Sequence, residues 1–210
     1  MSFTPIRSLA ARGFLALLLP LLLPLSLPLA AQAAPVAATN AAALPRDSVY
    51  QLQAPLTDQS GRRITLASRR GNPQVVVMFY TSCKFICPTI VDTVLDLDRN
   101  LSAAEKPRLG VLLISLDAQR DDPGALKTLA DKRGLDLGRW TLAQPQAADV
   151  RAIAGLLGVR YRPLADGEFN HTGVLVLLDA DGRIVARSSQ TAGAAEPQFL
   201  RRVQAELARR

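Results

Sequence analysis

Val75–Tyr80 is an unbroken apolar run, and together with the segment after it, it restricts the possible folds more than any other stretch of the chain. A segment apolar at every position has no face for water, so it predicts a strand in the middle of a sheet covered on both sides. Directly after it comes Thr81-Ser82-Cys83-Lys84-Phe85-Ile86-Cys87-Pro88, and from Pro88 the pattern changes period. Ile90, Val94, Leu97 and Leu101 recur at helical spacing with Val91 and Leu95 beside them, while Asp92, Asp96 and Asp98 occupy other positions. That is an amphipathic helix. Pro88 suits its first position, where the missing amide hydrogen would have no partner. Both cysteines of the chain therefore fall where a central strand hands over to a helix.

The other elements build around this unit. Tyr50–Thr57 and Arg62–Leu66 read as two short strands joined by a turn at Asp58-Gln59-Ser60-Gly61. Leu109–Leu116 reads as a second buried strand. Gly124–Arg133 reads as a helix ended by Gly134. Trp140–Ala143 is a candidate short strand and Ala147–Leu157 a third helix stopped by Gly158. Val174–Leu178 and Arg183–Arg187 form a hairpin around Asp179-Ala180-Asp181-Gly182, and a last helix covers roughly Glu196–Ala208. Alternating strands and helices with a late hairpin predict an α/β fold: a thioredoxin-like sandwich with a mixed central sheet and an N-terminal β-hairpin extension.

The start of the chain reads as a targeting segment. Arg7 and Arg12 precede the leucine-rich stretch Phe14–Ala30, and Ala31-Gln32-Ala33 offers an A-x-A cleavage pattern. Residues 1–33 are thus expected to be a signal peptide. The competing reading is a retained membrane anchor, against which stand Pro20, Pro24 and Pro28, each removing a helical backbone donor. Either way the remainder is exported, to a periplasm, soluble or tied to the inner membrane by this segment. The alanine- and proline-rich residues 34–46 are expected to be a flexible spacer, and 47–210 a single domain large enough to bury its own core. The formal charge of +7 includes the two leader arginines, and no basic run is interleaved with aromatics, so no nucleic-acid partner is expected.

Cys83 and Cys87 are separated by three residues, one more than in a thioredoxin-type redox pair. With that spacing the two sulfurs can face a common centre, or close on each other as a disulfide. A position near a helix N-terminus is expected to lower the Cys87 thiol pKa, with Lys84 adding to the effect. Thiolate both binds soft ions such as Cu(I) or Zn(II) and attacks disulfides, so metal and redox chemistry stay open. A permanent structural disulfide is the plainer reading for an exported protein. His171, the single histidine, precedes the apolar run Val174–Leu178, and Gly173 would let backbone pass close by. A lone histidine is more often structural, but as a third donor it would complete a Cys₂His set suited to copper in both oxidation states. Asp117, Arg120 and Asp121 read either as a charged rim or docking surface, or, by preference, as a local ion pair tying a loop to its helix. Trp140 and Tyr161 read as packing residues.

These residues resemble the SCO/SenC family of exported copper-binding proteins involved in cytochrome c oxidase assembly. The resemblance runs over about Asp47–Gln190. It rests on Phe79-Tyr80-Thr81-Ser82-Cys83 with Cys87-Pro88, on Ile114-Ser115-Leu116-Asp117 with Arg120-Asp121 and Pro123, and on His171-Thr172 before a strand ending Asp179-Ala180-Asp181-Gly182. Ala118 and Asp122 replace the pattern's usual Pro and Thr, and Asn170 stands where Asp commonly precedes the histidine. The resemblance implies a thioredoxin-like fold, with Cu(I) or Cu(II) held by Cys83, Cys87 and His171. It further implies a copper chaperone whose partner is the copper-bearing subunit of cytochrome c oxidase or another periplasmic copper carrier. The alternative function is a thiol–disulfide oxidoreductase using Cys83 and Cys87 as its redox pair. Phe169–Val174 lacks the proline that such enzymes place opposite the dithiol, which counts against it.

Overall fold

The structure, a computed structural model, describes residues 43–83 and 86–209. The expected signal peptide, nearly all of the spacer, and Lys84 lie outside these residues. Among the described residues no helix is long and apolar enough to cross a membrane.

In the described residues nine strands and four helices run in the order β1 (Leu56–Asp58), β2 (Arg63–Ile64), β3 (Gln74–Phe79), α1 (Ile86–Arg99), β4 (Gly110–Ser115), α2 (Pro123–Lys132), β5 (Trp140–Pro145), α3 (Val150–Leu157), β6 (Tyr161–Pro163), β7 (Phe169–His171), β8 (Leu175–Leu178), β9 (Ile184–Ser188) and α4 (Pro197–Ala208). Seven of the strands form one sheet in the order β2-β1-β5-β4-β3-β8-β9. β3, β4 and β5 are parallel neighbours, joined by α1 and α2, whereas β1 lies antiparallel to β5 and β8 antiparallel to β3. The mixed sheet and the β1–β2 hairpin at its edge match the sequence expectation.

Every residue of β3, β4 and β8 is buried. Successive side chains on a strand point to opposite faces, so complete burial means both faces are covered. Trp140, at the start of β5, is fully buried, as a packing residue should be.

The structure corrects the sequence reading at three places. Only Leu56–Asp58 of the expected strand Tyr50–Thr57 is extended in the sheet; Val49–Gln51 is a 3₁₀ turn whose N-cap Ser48 accepts a hydrogen bond from the Tyr50 amide at 3.1 Å. Val49 and Tyr50 are apolar because they pack on the β8–β9 turn, where the Val49 amide donates to the Gly182 carbonyl at 2.9 Å. Second, α1 begins at Ile86, so Cys87 sits in its first turn rather than in the loop. Pro88 is still tolerated there, since the first amides of a helix have no intrahelical acceptor. Third, β6 and β7 form a separate two-stranded ribbon, pairing Tyr161 with His171 and Pro163 with Phe169.

Gly182 turns β8 into β9 with φ +83°, and a Cβ there would lie 2.5 Å from the Tyr50 ring. Gly182→Ala is therefore expected to destabilise the fold by about 2 kcal/mol or more, from left-handed backbone strain plus overpacking. Denaturant unfolding checks this; a change below about 0.5 kcal/mol, the range of neutral surface substitutions, contradicts it.

Candidate metal centre

β3 delivers its C-terminal end to the middle of the sheet, and the chain leaves it through Thr81 toward the cysteines. Thr81 is held by Asp121, a fully buried carboxylate from the β4–α2 loop. Its two oxygens accept from the Thr81 amide at 3.0 and 3.2 Å, from the Thr81 hydroxyl, and from the Ser115 hydroxyl at 2.6 Å. Burial raises the Asp121 pKa, with the hydrogen bonds from Ser115 and Thr81 opposing the rise. From sequence Asp121 is expected in a charged rim or docking surface or, by preference, in a local ion pair. Its partners instead tie the cysteine segment to the loop after β4.

Cys83 and Cys87 are both buried, and no disulfide joins them. His171 comes to them from the end of β7, equally buried. One ligand-type atom from each of the three lies within 4.8 Å of the others. The Cys87 sulfur is 3.3 Å from His171 Nε2, and the Cys87 amide donates to the Cys83 sulfur at 3.3 Å. The other ring nitrogen, Nδ1, lies 3.3 Å from the Thr172 carbonyl. A carbonyl only accepts, so this contact assigns the proton to Nδ1 and leaves the Nε2 lone pair facing the sulfurs.

The electrostatics overturn one expectation. Burial pushes the Cys87 thiol up, and its hydrogen bond with Cys83 adds to this. The amide of the helix's first turn is spent on the Cys83 sulfur rather than on Cys87's own, and a dry site disfavours an isolated negative charge. Burial likewise lowers the His171 pKa, keeping the imidazole neutral as a donor must be. A bound cation would reverse the cost at Cys87, because it supplies the charge that the apolar surroundings lack.

The donor set fits a small thiophilic ion. Three donors bonded to one ion at about 2.0–2.3 Å in a trigonal arrangement lie about 3.5–4.0 Å apart, so the widest pair closes by about 1 Å when an ion binds. Beside the sulfurs lies a cleft of about 250 Å³ bounded by Pro88 and Val91 on α1 and by Leu129, Lys132 and Arg133 at the end of α2.

Sequence reasoning missed the groups that seat the histidine. The Tyr80 ring meets the His171 ring edge-on at 5.7 Å and Phe169 at 5.2 Å. The Tyr80 hydroxyl donates to a Glu168 oxygen at 3.0 Å and accepts from the Phe169 amide at 3.3 Å. Arg120 does pair with Asp117, as the local reading expected, but its guanidinium also reaches the Gly167 carbonyl at 2.5 Å and Glu168 at 3.5 Å. Tyr161 packs on Phe169 with ring centroids 6.2 Å apart. The one signal in the sequence was Tyr161 and Phe169 on either side of an Asp166-Gly167 turn.

A family model described as SCO1/SenC matches residues 46–207. A Stutzerimonas stutzeri protein named for copper binding is 28% identical over 150 residues, covering 69% of this chain and 71% of the relative. Among solved structures, Bradyrhizobium japonicum ScoI with copper bound superposes with TM-score 0.58 at 25% identity, covering 74% of this chain and 96% of that one. BsSco, described as having a disulfide switch and as a member of the Sco family of cytochrome c oxidase assembly proteins, superposes with TM-score 0.61 at 20% identity, covering 74% of this chain and 92% of that one. The fold these structures share with the chain is thioredoxin-like.

Proposed function

This chain belongs to the SCO1/SenC family, and on that premise we propose that it is an exported copper chaperone whose metal is held by Cys83, Cys87 and His171. The observation carrying the proposal is that the chain's two cysteines and single histidine, far apart in sequence, bring their donor atoms within 4.8 Å in a buried pocket. Two thiolates suit Cu(I), and the neutral imidazole extends the set to Cu(II). Copper is the cargo in this reading, received and passed on in the periplasm during assembly of the copper centre of cytochrome c oxidase. The leader expected over residues 1–33 supports export, and the neighbours named for copper and oxidase assembly support the destination.

The test is anaerobic titration of the reduced protein with Cu(I) and Cu(II), monitored by absorption. One ion per chain with sulfur-to-copper charge transfer is expected. His171→Ala should weaken Cu(II) binding by about a hundredfold or more, while leaving Cu(I) held by the two sulfurs much less affected. Failure of the wild-type protein to take up either ion, or equal losses for both ions in the variant, would contradict the proposal.

A second reading, thiol–disulfide exchange through Cys83 and Cys87, is favoured by the two thiols lying side by side, with the Cys87 amide donating to the Cys83 sulfur at 3.3 Å and no disulfide between them. It separates from the first by its indifference to His171: exchange activity would survive His171→Ala.

A further inference from the structure

We infer that Arg120 and Glu168 are positioning residues that govern how closely His171 approaches the cysteines, an inference that rests on the copper-site reading above. His171 is carried by the β6–β7 ribbon, which among the described residues forms a sheet with no strand but its own two. The cysteines, by contrast, leave the central strand β3. The placement of the imidazole over the sulfurs therefore depends on what fastens the ribbon to the sheet.

On its far side the ribbon runs into β8 through a short link, in which Gly173 is packed so tightly that a Cβ would lie 2.7 Å from Thr191 and 3.2 Å from Ile86. On its near side the fastening is a relay of side chains. Asp117, in the loop after β4, pairs with Arg120. Arg120 reaches the ribbon at the Gly167 carbonyl, 2.5 Å away, and at one Glu168 oxygen, 3.5 Å away. The other Glu168 oxygen accepts from the Tyr80 hydroxyl at 3.0 Å. Both Glu168 oxygens are thus engaged by groups that do not belong to the ribbon, one from the end of β3 and one from the loop after β4. Arg120 and Glu168 touch neither sulfur nor imidazole, and act through Tyr80 and the strand Phe169–His171.

The relay is accessible. The Arg120 side chain is 43% exposed and that of Glu168 25%, whereas the donor atoms are buried. A fastening built at the surface and ending at a buried ligand can be loosened from outside without disturbing the sheet. Loosening it leaves the two sulfurs in place and withdraws the imidazole. The two copper oxidation states then respond differently, because two thiolates suffice for Cu(I) and Cu(II) calls on nitrogen.

The experiment uses the full chain carrying Arg120→Ala, Glu168→Ala or Arg120→Lys. Copper affinities are read by chelator competition, and hydrogen exchange is measured in metal-free protein. Arg120→Ala and Glu168→Ala should each weaken Cu(II) binding about tenfold, the low end of the range for residues that orient a ligand. They should alter the charge-transfer band and leave Cu(I) within about twofold of wild type. Arg120→Lys should recover part of the Cu(II) affinity by keeping the charge while losing the fork-shaped contact. Without metal, amides of residues 161–171 should exchange several-fold faster while those of β3 and β4 are unchanged. Equal weakening of both ions, or unchanged Cu(II) binding, would overturn the inference. Failure of the wild type to bind copper would instead refute the site reading; in that case the exchange rates alone decide whether the relay fastens the ribbon.

Discussion

Cys87→Ser should remove high-affinity binding of both copper oxidation states. The Cys87 sulfur lies 3.3 Å from His171 Nε2, and the backbone around it forms the first turn of α1. Serine keeps the shape, so the fold should survive, but a hydroxyl is neither soft nor ionised at neutral pH. Sharing the binding free energy of a multi-ligand thiolate–imidazole site, about 10–16 kcal/mol in all, among three ligands assigns each about 3–5 kcal/mol. The loss should accordingly be on the order of a hundredfold to several thousandfold. A pH dependence accompanies it. Burial holds the Cys87 thiol protonated at neutral pH, so taking up an ion must expel that proton. His171, held neutral by burial, expels none. Wild-type affinity should rise with pH by about tenfold per unit for each proton released between about pH 6 and pH 8. In Cys87→Ser that slope should become shallower by the contribution of one proton. Calorimetric or competition titrations across this range measure both effects, and an unchanged slope would sink the assignment of Cys87 as a ligand.

The second large effect concerns stability. Asp121→Ala removes the acceptor for the Thr81 amide, the Thr81 hydroxyl and the Ser115 hydroxyl at once, in a place where water does not compensate. Each buried donor left without a partner costs about 1–3 kcal/mol, so a loss of about 3 kcal/mol or more is expected. For a domain of this size that corresponds to a fall in Tm of roughly 6–12 °C. Asp121→Asn should cost less, because an amide oxygen still accepts. The pH dependence of this difference has a definite sign. Burial raises the folded-state pKa of Asp121, so its contribution to stability is full below the unfolded carboxylate value and declines as pH rises through the folded one. The wild-type advantage over Asp121→Asn should therefore be greatest in acid and smaller at neutral pH. Thermal unfolding of the three proteins at two pH values tests this, and an Asp121→Ala protein with wild-type Tm would contradict the anchoring role.

The parts of the fold that could be read from sequence are those whose pattern is dictated by one environment. β3, β4 and β8 are buried on both faces, so their residues are apolar almost without interruption. Val49 and Tyr50 look the same for a different reason: they are buried by a turn more than 130 positions away, and the backbone there curls instead of extending. The β6–β7 ribbon escaped notice because most of its residues are exposed or half-buried and Pro163 argues against a strand. At the site, scarcity of soft donors made Cys83, Cys87 and His171 conspicuous. The direction in which a helix amide points was not available from spacing, hence the opposite expectation for the Cys87 thiol. Asp121 looked like its sequence neighbour's partner, while its actual partner Thr81 is 40 positions away.

The sulfur of Cys87 and the ring of His171 are 84 positions apart along the chain. An ion gripping both would close a loop of that span, restricting the unfolded chain much as a disulfide of similar length does, by roughly 4–5 kcal/mol in the chain-entropy picture. A loaded molecule is then a cross-linked polymer and an emptied one is not. Handing over the cargo would leave behind a softer protein, more open to a protease than the form that arrived.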